Sequence, residues 1–113
     1  MCDMVSEFAE AYYNWDIERA KIHCESELVP IMNFRQGNFT KQDWAYRKAI
    51  GKSRVQILDC KMLDNGTVHV IIEVSNLVCI DYIANAPIVI PRDTVQLIVV
   101  RTVNKDWCIR YIK

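Results

Sequence analysis

Features that would indicate a membrane-spanning role are missing from this sequence. No segment is apolar over the roughly 18 residues that a membrane helix requires. The apolar run 94–103 has only the length of a strand and is interrupted by Gln96 and Arg101. No apolar signal segment opens the chain, and we therefore expect no transmembrane segment.

An excess of positive charge is also missing. Lysine and arginine together number 14, and so do aspartate and glutamate, which gives a net charge of zero. Proteins that hold nucleic acid by its phosphates usually carry a basic excess or stripe. The densest basic stretch is interrupted by Asp43 and consists of Lys41, Arg47, Lys48, Lys52 and Arg54. This pattern is typical of a solvated helix face, and we expect no nucleic-acid partner.

Clustered metal ligands are missing as well. The five cysteines are scattered, without a C-x-x-C pair or a Cys/His group at zinc spacing, so we expect no metal and no cofactor. Four of them lie in apolar stretches: Cys24, Cys60, Cys79 and Cys108. Free cysteine behaves as a small hydrophobe, which predicts four core thiols in a reducing, cytoplasmic compartment. Cys2 leaves an alternative open, because it could be the lipidated residue of a cell-envelope lipoprotein.

What is present in the first half has the periodicity of helices. An apolar stripe at i, i+3, i+4 and i+7 is formed by Val5, Phe8, Ala9 and Tyr12. We expect this helix to end at Asn14, which tolerates the left-handed conformation found past helix ends. Asp16 is a suitable N-cap for the next helix, and Trp15 and Ala20 stand where a hydrophobic staple would form.

Two more helices follow in the sequence. Ser26 is expected to cap a third helix that ends at Gly37. Thr40 with Asp43 three residues later resembles a capping box and predicts a fourth helix, which Gly51 would stop.

The second half has the pattern of strands. Residues 67–75 place Val68, Val70, Ile72 and Val74 on one face. A preceding strand over 54–63 would join through the turn Asp64-Asn65-Gly66. Further strands are expected over 77–83, 93–103 and 107–113, the last two joined by a turn at 104–106. Segment 84–92 carries two prolines, so we expect a loop or a sheet edge there.

This order predicts one α+β domain spanning residues 1–113, with N-terminal helices packed on a strongly curved antiparallel sheet. Two segments, "FAEAYYNWDIERA" (8–20) and "DTVQLIVVRTVNKDWCIRYIK" (93–113), resemble the opening helices and the closing hairpin of the nuclear transport factor 2-like superfamily. The resemblance covers nearly the whole chain and is closest to small bacterial domains without an assigned activity. Its enzymatic relatives are the SnoaL-type cyclases and the ketosteroid isomerases.

The resemblance implies a cone between helices and sheet, but the isomerase residues are not in place. The position of the oxyanion-binding tyrosine falls at Phe8 or Ala9, which cannot donate a hydrogen bond. The region of the catalytic base, 30–39, holds no acid, and neither does the late strand 95–100. We therefore expect a non-catalytic binding or interaction domain, with a SnoaL or isomerase-like enzyme of replaced catalytic residues as the alternative.

The candidate ligand-binding residues are those that could line the cone: Tyr12, Trp15, Trp44, Asp81 and Tyr82. Such a set would suit a small amphipathic ligand. The alternative is that aromatics fill the cone, which a plug of Phe8, Tyr12, Trp44 and Trp107 would show. His23 and His69 lack a neighbouring nucleophile in the sequence and are interpreted as ordinary surface or part-buried histidines.

The outer face of the sheet is the remaining candidate. Ile71, Ile98, Val100 and Ile112 are expected on strand positions opposite the core. An apolar patch on an open sheet is typical of a contact surface, so we expect a homodimer or a protein partner there.

Overall fold

The computed structural model describes residues 1–64, 66–81, 83–103 and 107–112. In this part of the chain, helices precede strands: α1 Cys2–Tyr13, α2 Ile17–Lys21, α3 Val29–Gly37, α4 Lys41–Ile50, β1 Arg54–Asp64, β2 Thr67–Asp81, β3 Ala86–Val100 and β4 Cys108–Ile112. The strands form one antiparallel sheet in the order β1-β2-β3-β4. The predicted α+β architecture is confirmed.

The start of the chain forms the expected pair of helices. The whole predicted stripe of α1 is buried, and Tyr13 is buried beside it. Asp16 caps α2 by accepting a hydrogen bond from the backbone N–H of Arg19 at 3.3 Å. The left-handed residue, however, is Trp15 with φ +66°, whereas Asn14 has φ −96°. The Asn14 side chain forms hydrogen bonds with the distant Ser53, which hold the Asn14 backbone near the helical region. The left-handed residue therefore comes one position later, at Trp15.

The caps of α3 and α4 differ in how well local sequence predicts them. The expectation that Ser26 caps α3 is wrong, because a turn closed by the Leu28 N–H on the Glu25 carbonyl places the helix start at Val29. The capping box of α4 is confirmed, with Asp43 N to Thr40 Oγ1 at 3.1 Å and Thr40 N to Asp43 Oδ2 at 3.0 Å.

The strands are longer than the sequence predicts. Residues 77–81 are not a separate strand but continue β2, which bends at Asn76 with φ +59°. Segment 84–92, predicted to be a loop or a sheet edge, is a strand from Ala86 onward, where it forms the first half of β3 and pairs with β2. Among the described residues, β4 pairs only with Leu97–Val100, so this half of β3 is a sheet edge, where prolines are tolerated.

The expected turns between strands lie partly outside the described residues. Asn65 and the turn 104–106 are not among them. Next to the first turn, the Asp64 carboxylate accepts a hydrogen bond from the Gly66 N–H at 2.9 Å.

The core lies between the helices and one face of the sheet. The predicted inner residues of β2 are buried, opposite Leu97 and Val99 of β3. The chain after α2 is joined to β4, because Ile109 exchanges backbone hydrogen bonds of 2.7 and 2.8 Å with His23 and Glu25. Among the described residues, no helix combines the length and the apolarity needed to cross a membrane.

Two predictions about burial need correction. Cys24 and Cys108 are buried, but Cys60 and Cys79 are exposed, so the expectation of four core thiols is wrong. Cys60 lies on an end strand of the described sheet and Cys79 near the end of β2. Cys2, Cys60 and Cys79 are free, exposed thiols.

The outer face also departs from expectation. The pairing of β3 with β4 is irregular between Ile98 and Val99, which shifts the alternation of side chains along β4. Ile112 therefore lies opposite Leu97 and packs against the core. Val100 is buried, with 2% of its surface exposed. Ile71 and Ile98 of the predicted patch remain partly exposed on the outer face, and the half-exposed Tyr111 lies opposite Ile98.

Candidate ligand-binding site

A cleft of about 640 Å³ opens between the end of α1, the helix α3 and the far half of β2. Its lining is mainly apolar and comprises Tyr12, Trp15, Ile31, Met32, Phe34, Arg35, Asn38, Phe39, Val78, Cys79 and Ile80. The length of β2 beyond its bend forms the floor, and α3 forms the opposite side.

One side of the cleft is an aromatic cluster. Trp15 stacks on Phe39 with ring centroids 4.3 Å apart and an interplanar angle of 7°. Trp44 meets both rings edge-on, at 5.7 Å from Trp15 and 5.6 Å from Phe39. Trp15 is buried, whereas 42% of Trp44 is exposed, so Trp44 covers this cluster from outside. Flat aromatic surface of this kind suits a flat apolar ligand.

The cation of the cleft is Arg35. Its guanidinium carbon lies 5.0 Å from the centroid of the Tyr12 ring, a cation–π distance. Among the described residues, no carboxylate lies within 4.0 Å of this guanidinium. The Asn38 side chain is engaged locally, since its Nδ2 donates to the Phe34 carbonyl at 2.8 Å. Arg35 therefore offers a positive charge to an occupant of the cleft.

Two tyrosines lie side by side at this end of α1. Tyr12 and Tyr13 meet edge-on with ring centroids 4.9 Å apart. Burial raises the pKa of Tyr12, and the charge and hydrogen bond of Arg35 act in the opposite direction. Burial also raises the pKa of Tyr13, with a smaller contribution from the Tyr12 hydroxyl. Both phenols are therefore neutral near pH 7, and each can donate a hydrogen bond but is not a base.

The sequence-predicted site residues do not all meet in this cleft. Tyr12 and Trp15 line it, and Trp44 packs on Trp15 at its side. Asp81 lies at the end of β2, where its carboxylate accepts hydrogen bonds from the Ile83 and Ala84 N–H groups at 3.0 and 3.2 Å. Tyr82 lies outside the described residues.

Sequence reasoning missed the contribution of α3. The segment 30–39 lacks the acid that an isomerase would have there, but Met32 and Arg35 of α3, and Phe39 just beyond it, line the cleft. The spacing of three residues between Met32 and Arg35 is a signal that could have placed both on one helix face. Cys79 was also missed as a cleft residue, because its apolar neighbours suggested a core thiol.

Acid–base groups are not part of the described lining. No aspartate, glutamate or histidine is among the lining residues that the structure describes. His69 Nε2 lies 3.1 Å from Gln96 Oε1, and His23 Nε2 lies 3.4 Å from the Glu7 carboxylate. Within the described ranges, no group of three His, Cys, Asp or Glu side chains is placed to hold a metal ion.

The expected aromatic plug is only partly present. Phe8 is fully buried and Tyr12 stacks on it at 5.6 Å between centroids. Trp107 packs against the core, but Trp44 lies outside it and is partly exposed. Side chains therefore fill the core on the Phe8 side of Tyr12, and the cleft lies on the opposite side of Tyr12.

Comparison with known proteins identifies the fold. No protein-family model and no curated protein sequence matches the chain. A solved structure of an NTF-2-like protein of unknown function from Shewanella oneidensis MR-1 is similar with a TM-score of 0.58 and 14% identity, over 96% of this chain and 89% of that one. An Ntf2-like protein involved in plasmid conjugation is similar with a TM-score of 0.50 and 8% identity, over 98% of this chain but only 46% of that one. The chain thus has the nuclear transport factor 2-like fold that its sequence resembles.

Proposed function

We propose that this chain is a binding module that holds a small, flat, amphipathic anion in the cleft between α1, α3 and β2. The observation that carries the proposal is an aromatic wall next to Arg35, a cation with no carboxylate within 4.0 Å among the described residues. The stacked Trp15 and Phe39 would take the apolar body of the ligand. Arg35 would take its acidic group, and the neutral Tyr12 hydroxyl would donate to it.

Binding is favoured over catalysis by the chemistry of the lining. Proton transfer at a carbon or an oxygen requires a base near neutral pH, commonly a histidine or a carboxylate. Neither side chain is among the described lining residues, and burial holds the pKa of Tyr12 above its ordinary value. The fold itself hosts many functions and does not decide the matter.

The test uses anilinonaphthalene sulfonate, an aromatic sulfonate whose fluorescence rises in apolar surroundings. We expect saturable binding to the wild type and about fivefold weaker binding to Arg35→Gln, the effect of one exposed charge. Arg92→Gln is the matched control, since Arg92 is exposed on β3 and does not line the cleft.

A second variant narrows the cleft without changing its charge. Cys79→Phe places a large ring in the cleft at an exposed position, so we expect lost binding with an unchanged melting temperature. Equal affinity in the wild type, Arg35→Gln and Cys79→Phe would overturn the proposal.

We also propose a homodimer through the outer face of the sheet. Ile71, Ile98 and Tyr111 remain partly exposed there, although the patch is smaller than expected from the sequence. We place this assembly in a reducing, cytoplasmic setting, which is the compartment that the scattered cysteines of the sequence favour.

A further inference from the structure

A second cleft, of about 460 Å³, lies where the end of α4 meets the start of β1. It is lined by Asn14, Trp44, Arg47, Lys48, Gly51 and Lys52. Three of these six residues are cations, and among the described residues none of the three lies within 4.0 Å of a carboxylate. The charge of this cleft is therefore not balanced by a described acidic side chain.

Arg47 is the unusual member of this group, because only 5% of its surface is exposed. Its terminal nitrogens donate to three neutral acceptors, the Gly51 carbonyl, Asn14 Oδ1 and Ser53 Oγ. Its Nε is buried without a hydrogen-bond partner among the described atoms. Burial lowers the pKa of the guanidinium, but arginine stays protonated in proteins. Buried charges are normally paired, whereas the acceptors described for Arg47 are all neutral.

Hydrogen bonds connect the backbone segments that surround Arg47. Asn14 and Ser53 exchange hydrogen bonds of 3.0 and 2.9 Å, which join the end of α1 to the segment before β1. Asn76 at the bend of β2 donates to the Lys52 carbonyl at 3.2 Å from the other side. Gly51 has φ +92°, a conformation that a side chain would strain. Hydrogen bonds thus join the end of α1, the segment before β1 and the bend of β2 around this cleft.

We propose that this second cleft binds a phosphomonoester that carries a flat apolar group. A phosphate dianion matches three cations better than a singly charged acid does. Arg47 is fixed and supplies the buried charge, while Lys48 and Lys52 are exposed and adjust to the phosphate oxygens. The partly exposed Trp44 indole offers a surface for the flat group.

The test titrates naphthyl phosphate into the full chain and follows amide and indole NMR signals. We expect saturable shifts at Trp44, Gly51 and Lys52, and affinity that falls as salt is added. Lys48→Gln/Lys52→Gln should weaken binding about tenfold, because two charges are removed while the buried frame is kept. Lys41→Gln, at the exposed start of α4, should leave the affinity unchanged.

Other ligands and variants separate this site from the first cleft. Naphthol, which lacks the charge, should bind about tenfold more weakly than naphthyl phosphate, and inorganic phosphate should shift the same residues at higher concentration. Arg35→Gln should not change the affinity that is measured from the signals of Trp44, Gly51 and Lys52. Equal affinity in the double lysine variant, or shifts confined to Val78, Cys79 and Ile80, would overturn the proposal.

Discussion

At the scale of single residues, Asn14 shows how a polar side chain can fix the end of a helix. Its amide nitrogen donates to the Glu10 and Ser53 carbonyls, and its oxygen accepts from the Ser53 N–H and from Arg47. The sequence predicted the helix end but not this arrangement, because Ser53 is 39 residues away along the chain. Local patterns carry no information on such distant partners.

Replacing Asn14 should therefore be costly. Asn14→Ala leaves the buried Arg47 and Ser53 without their shared partner, and we expect a loss of about 3 kcal/mol in the free energy of unfolding. Asn38→Ala is the control, because Asn38 makes one local bond to the Phe34 carbonyl. Urea denaturation measures both; equal effects would show that Asn14 is only a local cap.

Tyr13 predicts how stability depends on alkaline pH. Because burial raises its pKa in the folded state, the stabilisation is complete below the unfolded pKa of about 10 and is lost as the pH rises toward the folded value. Tyr13→Phe should flatten the fall in melting temperature above about pH 10. Tyr111→Phe, at a half-exposed site, should leave the fall as in the wild type; identical curves for all three proteins would contradict the assignment.

At the scale of elements, the sequence predicts helices better than strands. The capping box of α4 lies within four residues, so its chemistry is readable locally. The extent of β3 depends on pairing with β2, and the two prolines at 87 and 91 left both a loop and a sheet edge open, of which the structure has the edge. The prediction of a separate strand over 77–83 was wrong, because Asn76 bends β2 without ending it.

The two helix caps form a matched test. Thr40→Ala removes a hydrogen bond to the Asp43 N–H and should cost about 1 kcal/mol of stability. Ser26→Ala changes an exposed residue that precedes α3 and should stay within about 0.5 kcal/mol of the wild type. Chemical denaturation compares them, and a larger loss for Ser26→Ala would restore its predicted role as a cap.

At the scale of the whole molecule, the cleft between α1, α3 and β2 is lined by residues that lie far apart in the sequence. The aromatics at 12 and 15 were predictable as candidates from their place at the helix break. Arg35 and Cys79 were not, because they meet Tyr12 only when α3 and the far half of β2 are packed together. The fold itself was predictable, since the order of helices and strands and the sequences of segments 8–20 and 93–113 all indicate the same fold.

Self-association belongs to this scale too. If the outer face forms a dimer, sedimentation should give twice the mass of the chain, and Ile98→Lys should give a monomer because it places a charge within the contact. Ile88→Lys is the control, since Ile88 is exposed on the edge half of β3. A wild type that stays monomeric at every concentration would rule the dimer out.

The most direct test of the central claim is to locate a bound flat anion by NMR in the wild-type protein. Titration with anilinonaphthalene sulfonate should shift the amides of Arg35, Val78, Cys79 and Ile80 together, with one affinity, and leave the outer face unchanged. Shifts scattered over the surface, or confined to the sheet residues Ile71, Ile98 and Tyr111, would contradict a ligand site in the cleft.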